Sequence, residues 1–178
     1  MLTPSYTHNE VSRFFGRFLI GLLVFELLYY GVLLQGGGIG SVLRANASLA
    51  GAVYGWLGRE VWVDGVVLQG EDFRVIVQRG CDGLQPLGIL LAALLSLPTG
   101  WRNRFAAMVV GTAFVLALNL ARLLSLCQVA AEWPESFELV HLDLWQPAFL
   151  AMTLLFWLVW ALRSLPRGPF AEEIRCPA

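Results

Sequence analysis

Composition sets this chain of 178 residues apart from ordinary soluble domains. Its residues are 57% hydrophobic and only 14% charged, whereas a soluble domain carries about 25% charged residues. One small core cannot bury that much apolar surface, so we expect lipid to form part of the solvent. The formal net charge of −1 gives no electrostatic support to nucleic-acid binding.

Cysteine and histidine are too sparse for a disulfide framework or a structural metal site. The three cysteines, Cys81, Cys127 and Cys176, form no Cys-x-x-Cys pair, and the chain has only two histidines. The sequence therefore predicts no bound metal and indicates no cofactor.

Four apolar runs predict an all-α polytopic membrane protein in which residues 1–178 form one integral-membrane domain. The first run is long enough to cross a hydrocarbon core of about 30 Å, and we interpret it as a retained anchor rather than a cleaved signal peptide. Glu26 lies inside it, where the bundle would have to satisfy the carboxyl group. The second run is short for a full crossing. The predicted spans cover residues 14–34, 82–97, 105–126 and 145–162.

Residues 41–79, between the first two spans, predict an outer amphipathic helix and a small sheet. Apolar residues recur at helical spacing from Ser41 to Gly58, with Ser41 as the expected cap. We place Asn46 on another face of this helix and give no weight to its glycosylation sequon. Residues 60–79 change to β-branched runs separated by turn residues, which predicts a β-hairpin or a three-stranded flap.

Three clusters of arginine predict the topology. They lie before the first span, in the loop after the second, and after the fourth. By the positive-inside rule each cluster is cytoplasmic, which places both termini inside and the sheet outside. The arginines are residues 13 and 17, 102 and 104, and 163 and 167.

Cys81 lies between two glycines, at the change from the sheet to the second span. The glycines leave room around the sulfur, and the start of a helix offers unpaired N–H groups that stabilise a thiolate. Arg122 lies 20 residues after Arg102, and a helix of that length rises about 30 Å. Arg122 and the outer-loop residue His141 are therefore expected at the level of Cys81, and Asn119 shares the helical face of Arg122.

Each of these residues has an ordinary structural explanation on its own. A cysteine at a helix start is usually a packing residue, an arginine near a span end usually anchors the helix at the interface, and an outer-loop histidine is usually solvated. Their placement at one level makes a chemical explanation comparable to the ordinary one, because thiol attack on a carbonyl needs a thiolate, a proton shuttle and a cationic donor. Cys127 is expected to be a packing residue, and Cys176 lies in the cytoplasmic tail.

Three sequence blocks resemble the signature blocks of the exosortase/archaeosortase family, most closely its compact exosortase H branch. They are Cys81-Asp82-Gly83-Leu84, Asn119-Leu120-Ala121-Arg122, and Phe137 to His141 followed by Leu144-Trp145-Gln146. The resemblance covers roughly Leu57 to Arg163. Asp82 departs from the family pattern, and a carboxylate beside a thiol raises the pKa of that thiol unless a cation neutralises it.

The resemblance implies a membrane cysteine transpeptidase or protease of the bacterial cytoplasmic membrane, with its active site on the outer face. Its partners would be exported proteins whose C-terminal sorting signal contains a short motif, a transmembrane helix and a basic tail. Cys81 would be the nucleophile, His141 the proton shuttle and Arg122 the oxyanion or thiolate stabiliser, with Asn119 supporting Arg122. The acceptor, which could be water, is left unidentified.

Two other functions remain open at this stage. A non-enzymatic module that assembles or chaperones membrane proteins would use the sheet and groove without Cys81. A thiol-dependent acyltransferase would share the nucleophile but take a different substrate. The free edge of the outer sheet is also a candidate surface for an extended signal segment.

Overall fold

The computed structural model describes residues 8–164, which form a helical bundle with one three-stranded sheet. Arg167 and Cys176, to which the sequence assigns cytoplasmic positions, lie outside the described residues. A π-helical turn continues α1, and another precedes α5. The elements are α1 (His8–Leu28), α2 (Gly38–Trp56), β1 (Trp62–Asp64), β2 (Val67–Gln69), β3 (Arg74–Ile76), α3 (Leu84–Ser96), α4 (Trp101–Glu132) and α5 (Trp145–Ser164), with π-helical turns at Tyr29–Leu34 and Leu139–Leu144.

In the described part of the chain, three helical segments are long and apolar enough to cross a membrane. They are Val11–Leu33, Trp101–Glu132 and Leu139–Ser164. Much of their apolar surface is not covered by protein: Leu23, for example, is 60% exposed. Exposed apolar surface of this extent fits contact with lipid, and with the length of the three helices it confirms the prediction of a multi-pass membrane protein.

The predicted count of four spans is not confirmed, because α3 is too short. Its 13 residues rise about 20 Å, against a hydrocarbon core of about 30 Å. Asp82 delays the start of the helix, since its carboxylate accepts the backbone N–H of Leu84 and holds the preceding residues in a turn. Pro98 ends the helix, since a residue before proline is driven out of the α region and Leu97 is extended.

Two helices also begin earlier than predicted. α2 starts at Gly38, after Gly37 adopts a left-handed conformation (φ 74°), and no side chain caps it. The predicted cap at Ser41 is therefore wrong. α4 is one helix of 32 residues that begins at Trp101, so it extends beyond the predicted span at both ends.

The sheet is the three-stranded form of the predicted flap, with the antiparallel order β1-β2-β3. It packs on α2, and their approach is so close that a Cβ on Gly51 would collide with Val63. The hydroxyl of Tyr54 fixes α2 to α4 by donating to the carbonyl of Leu124 at 2.9 Å. The resulting core contains residues of α2 (Leu43, Ala47, Ala50, Tyr54), of the sheet and its flank (Leu68, Val75, Val77), and Cys81, Leu123 and Cys127.

A second core joins α3, α4 and α5. Leu90 and Leu94 of α3 are both 1% exposed, and Val115 of α4 is fully buried. α1 covers the other side of α3, where a Cβ on Gly88 would collide with the ring of Phe25. The two cores divide the molecule into two units. In one, α1, α3 and α5 pack around the N-terminal part of α4, and in the other, α2 and the sheet pack around its C-terminal part.

We predict that Gly88→Ala destabilises the protein, because the added methyl group forces Phe25 out of its packed position. Overpacking of this kind costs about 1–3 kcal/mol, so the thermal unfolding midpoint in detergent should fall. Gly16→Ala is the matched control on α1, since a Cβ there has no described atom within 4 Å. Equal midpoints for the two variants would show that α1 and α3 are not in close contact.

Candidate active site

Cys81 lies in the connection between β3 and α3, which we call the Cys loop (residues 77–83). The backbone N–H of Cys81 donates to the carbonyl of Gln78 at 3.0 Å. Gly80 and Gly83 flank the cysteine with φ values of 91° and 74°, which L-residues other than glycine rarely adopt. A Cβ on Gly83 would also lie 3.0 Å from the side chain of Asn119. The glycines therefore allow a tight turn that presses against α4.

Asp82 shapes this turn with its side chain. The carboxylate, only 2% exposed, accepts the backbone N–H groups of Gly80 at 3.1 Å and Leu84 at 2.8 Å. The prediction that Cys81 opens the helix is therefore wrong: α3 begins three residues later, and Asp82 binds its first N–H group. Asp82, the residue that departs from the family pattern, therefore has a structural role in the loop.

Side chains from two helices bind three successive carbonyls of the Cys loop. Nη1 of Arg122 donates to Gly80 O at 3.1 Å, and Nδ2 of Asn119 donates to Cys81 O at 3.0 Å. Nδ2 of Asn46 lies 3.4 Å from Asp82 O, and its Oδ1 lies 3.4 Å from Nδ2 of Asn119. Together these donors fix the backbone on both sides of the thiol.

His141 faces the thiol from the π-helical turn Leu139–Leu144. Its Nε2 lies 3.3 Å from Sγ of Cys81, close enough for a neutral imidazole to accept the thiol proton. The ring of Phe137 lies one helical turn earlier, with its centroid 5.7 Å from the imidazole centroid. The extra residue of a π-helical turn alters the angular position of side chains on a helix, and such turns are frequent at functional sites.

The charge environment of Cys81 contains opposing contributions. Burial is the largest influence and raises the pKa of the thiol above its ordinary value. The Arg122 guanidinium and the backbone of Gln78 oppose that effect, while the nearby carboxylate of Asp82 adds to it. The balance of these influences favours the neutral thiol, so the sulfur needs a base to become a nucleophile.

An open cavity of about 600 Å³ reaches the thiol. It is lined on one side by β3 and its flanks, and on the other by α4 and the segment that leads into α5. Cys81 and His141 are both on its wall. The cavity is large enough for a ligand, and a substrate within it would contact the thiol and the imidazole directly.

The structure brings together all four residues that the sequence singled out: Cys81, Arg122, His141 and Asn119. One predicted contact differs, because Asn119 donates to Cys81 O rather than supporting Arg122. Cys127 is fully buried in the first core, as expected of a packing residue.

Sequence reasoning missed Asn46, which was placed on another face of α2. The structure turns this half-buried side chain towards the Cys loop. A signal was present in the spacing, because Asn46 is three residues after Leu43 and four before Ala50, two residues of the buried face. The assignment of Asn46 to another face of the helix overlooked this spacing.

The chain matches the family model described as transmembrane exosortase (Exosortase_EpsH) over residues 12–158. The chain belongs to the transmembrane exosortase family. No curated protein and no solved structure shows significant similarity to it.

Membership of the exosortase family suggests a membrane transpeptidase that acts in protein sorting. The matched range begins in α1 and ends in α5, so it contains the Cys loop, the sheet and every residue of the site described above. The exosortase match therefore covers the same part of the chain that builds the cavity.

We predict that the pH dependence of Cys81 alkylation moves in opposite directions in two variants. Arg122→Gln removes the cation that lowers the pKa of the thiol, so the midpoint should rise and alkylation at neutral pH should slow. Asp82→Asn removes a nearby negative charge, so the midpoint should fall. Adduct formation at Cys81 can be followed by peptide mass spectrometry in membranes, with total helicity as a folding control. Shifts of the same sign in both variants would contradict the assigned electrostatics.

Proposed function

We propose that this exosortase is a cysteine transpeptidase or protease that cleaves the C-terminal sorting signal of exported proteins. Its substrates would carry a short motif, a transmembrane helix and a basic tail. The observation that carries the proposal is the 3.3 Å approach of the Cys81 thiol to the His141 imidazole, on the wall of an open cavity. A nucleophile within hydrogen-bond reach of its base is the arrangement that covalent catalysis requires.

In the first half-reaction, Cys81 attacks the backbone carbonyl near the outer end of the substrate's transmembrane helix. His141 accepts the thiol proton at Nε2 as Sγ forms a bond to the carbonyl carbon. The tetrahedral intermediate then collapses, the C–N bond breaks, and the imidazolium donates the proton to the departing amine. The products are a thioester on Cys81 and a released helix with a free amino terminus.

In the second half-reaction, the thioester is resolved by an acceptor. An amine or a water molecule attacks the carbonyl carbon, and His141 removes its proton. The C–S bond breaks, and the proton returns to Sγ. An amine acceptor gives a transferred protein, whereas water gives a free carboxylate.

The contacts of Arg122 favour thiolate stabilisation over direct donation to the oxyanion. Its Nη1 already donates to Gly80 O, and the side chain is only 4% exposed. Its charge lowers the pKa of Cys81, so it favours the anionic sulfur formed during proton transfer. Asn119 acts as a positioning residue, because its amide holds the carbonyl of Cys81 itself.

We place the site on the outer face of the bacterial cytoplasmic membrane, with both termini inside. The support is the arginine pattern of the sequence. Substrates that have been exported would present the outer end of their anchor helix at this level. The acceptor is expected to be exposed on the same side.

We predict that Cys81→Ala abolishes processing of a reporter protein that carries a C-terminal sorting signal, while membrane insertion stays normal. Without sulfur no thioester can form. His141→Ala should reduce the rate by about 10²–10⁴-fold, the usual contribution of a general acid or base. Processing is measured by the mass of the reporter, and Cys127→Ala is the matched control at a cysteine outside the cavity lining.

The same experiment tests the competing functions. Unchanged processing in Cys81→Ala would favour a module that only binds or assembles membrane proteins. A Cys81 adduct that is an acyl chain rather than a polypeptide would favour acyl transfer. Mass spectrometry of the trapped adduct separates these outcomes.

We predict that Arg122→Lys slows processing by roughly 10-fold or more. Lysine keeps the charge, but its single nitrogen cannot reproduce the planar guanidinium that binds Gly80 O and lowers the pKa of the thiol. The measurement is the single-turnover rate of thioester formation, with the alkylation rate of Cys81 as a separate readout of the thiol. A rate close to that of the unmodified protein would show that the planar guanidinium is not required at this position.

A further inference from the structure

The free edge of β3 leads directly to the proposed nucleophile. We propose that β3 binds the extended segment immediately before the scissile bond as a fourth strand of the sheet, running parallel to β3. This inference rests on the proposed function and specifies how the substrate is held. The partner is a polypeptide chain recognised through its backbone.

The hydrogen bonds between β2 and β3 show which backbone groups are free. Val77 N donates to Val66 O at 2.8 Å, and Gly70 N donates to Phe73 O at 3.0 Å, so the peptide groups of Phe73 and Val77 face β2. In an antiparallel pair this orientation alternates along the strand. The N–H and C=O groups of Arg74 and Ile76 therefore point away from β2.

Within residues 8–164, no strand pairs with that outer edge, because the sheet order ends at β3. Unpaired strand edges are templates for pairing with another chain. On the edge of β3, the groups that would pair are next to an open cavity rather than covered by a helix.

The cavity that reaches the thiol is the space in which an added strand would lie. Residues 72–78, which include β3, form one wall, and Leu126 of α4 and Phe137 lie on the other. An added strand runs about 4.8 Å from its neighbour, which places it between these walls. Its side chains alternate in direction, so those that face α4 meet an apolar surface and every second residue should be apolar.

The direction of the added strand follows from the order of the chain. β3 runs from Arg74 towards Cys81, and Ile76 precedes Cys81 by five residues, a distance of at most about 17 Å. In the proposed reaction the scissile carbonyl lies at Cys81 and the anchor helix follows it. The preceding residues must extend back from Cys81 along β3, so the two chains run in the same direction.

Ile76→Pro tests this pairing with little damage to the sheet. Proline removes the outward N–H of Ile76, while the bonds between β2 and β3 remain, and proline is tolerated at such edge positions. We expect the KM for the reporter to rise about 10-fold, the cost of one lost hydrogen bond in a desolvated site. The kcat and the alkylation rate of Cys81 should change little.

Val63→Pro is the matched control, because the same alternation points the peptide groups of Val63 away from β2 at the opposite edge of the sheet. Its thermal unfolding midpoint is measured as well, since the Val63 side chain also packs against Gly51 of α2. This variant should keep an unchanged KM. An unchanged KM in Ile76→Pro together with full loss in Cys81→Ala would refute strand addition and leave the proposed function intact. Processing by Cys81→Ala would instead remove the proposed function.

A substrate-side experiment does not depend on how the variants fold. Synthetic peptides with an intact anchor helix are N-methylated singly at each of the residues before the cleaved bond, and the unmodified protein processes them. Strand pairing predicts that methylation at alternate residues raises the KM, since only every second N–H faces β3. Equal effects at consecutive residues would overturn the proposal.

Discussion

The site depends on a set of hydrogen bonds to the backbone of the Cys loop. Three adjacent carbonyls, those of Gly80, Cys81 and Asp82, each lie within reach of a different side chain, from Arg122, Asn119 and Asn46. A buried carbonyl without a donor is costly, so these contacts determine where the loop can lie. Two of the donors come from α4 and one from α2. The position of the thiol therefore depends on the packing of α2 against α4, which the shared core and the Tyr54 hydroxyl secure.

The same bonds explain why a carboxylate is tolerated beside the thiol. Asp82 raises the pKa of Cys81, which works against a nucleophile. However, the Asp82 carboxylate also accepts two backbone N–H groups, and these bonds hold the turn that presents the sulfur to His141. Arg122 affects both the shape of the loop and the pKa of the thiol, because its guanidinium binds Gly80 O and also lowers the pKa of Cys81.

The sequence alone predicted the features that follow from the regular geometry of helices and strands. The rise of a helix fixes how far Arg122 is from the basic loop at Arg102. Its depth in the membrane could therefore be compared with that of Cys81. The period of β-branched residues located the sheet. The length of α3 could not be obtained in this way, because the Asp82 side chain delays the helix start and Pro98 ends it. Asn46 was missed for a related reason: its role appears only when α2 packs beside the Cys loop, and that is a tertiary contact.

The raised pKa of Cys81 has a consequence for the proposed reaction. A thiol that is protonated at rest is a poor nucleophile, and it is also protected from oxidation, since oxidants attack the thiolate. A substrate strand in the cavity would exclude water and so strengthen the attraction between Arg122 and an anionic sulfur. β3 continues directly into the Cys loop, so the strand proposed to bind the substrate and the loop that carries Cys81 are one continuous segment.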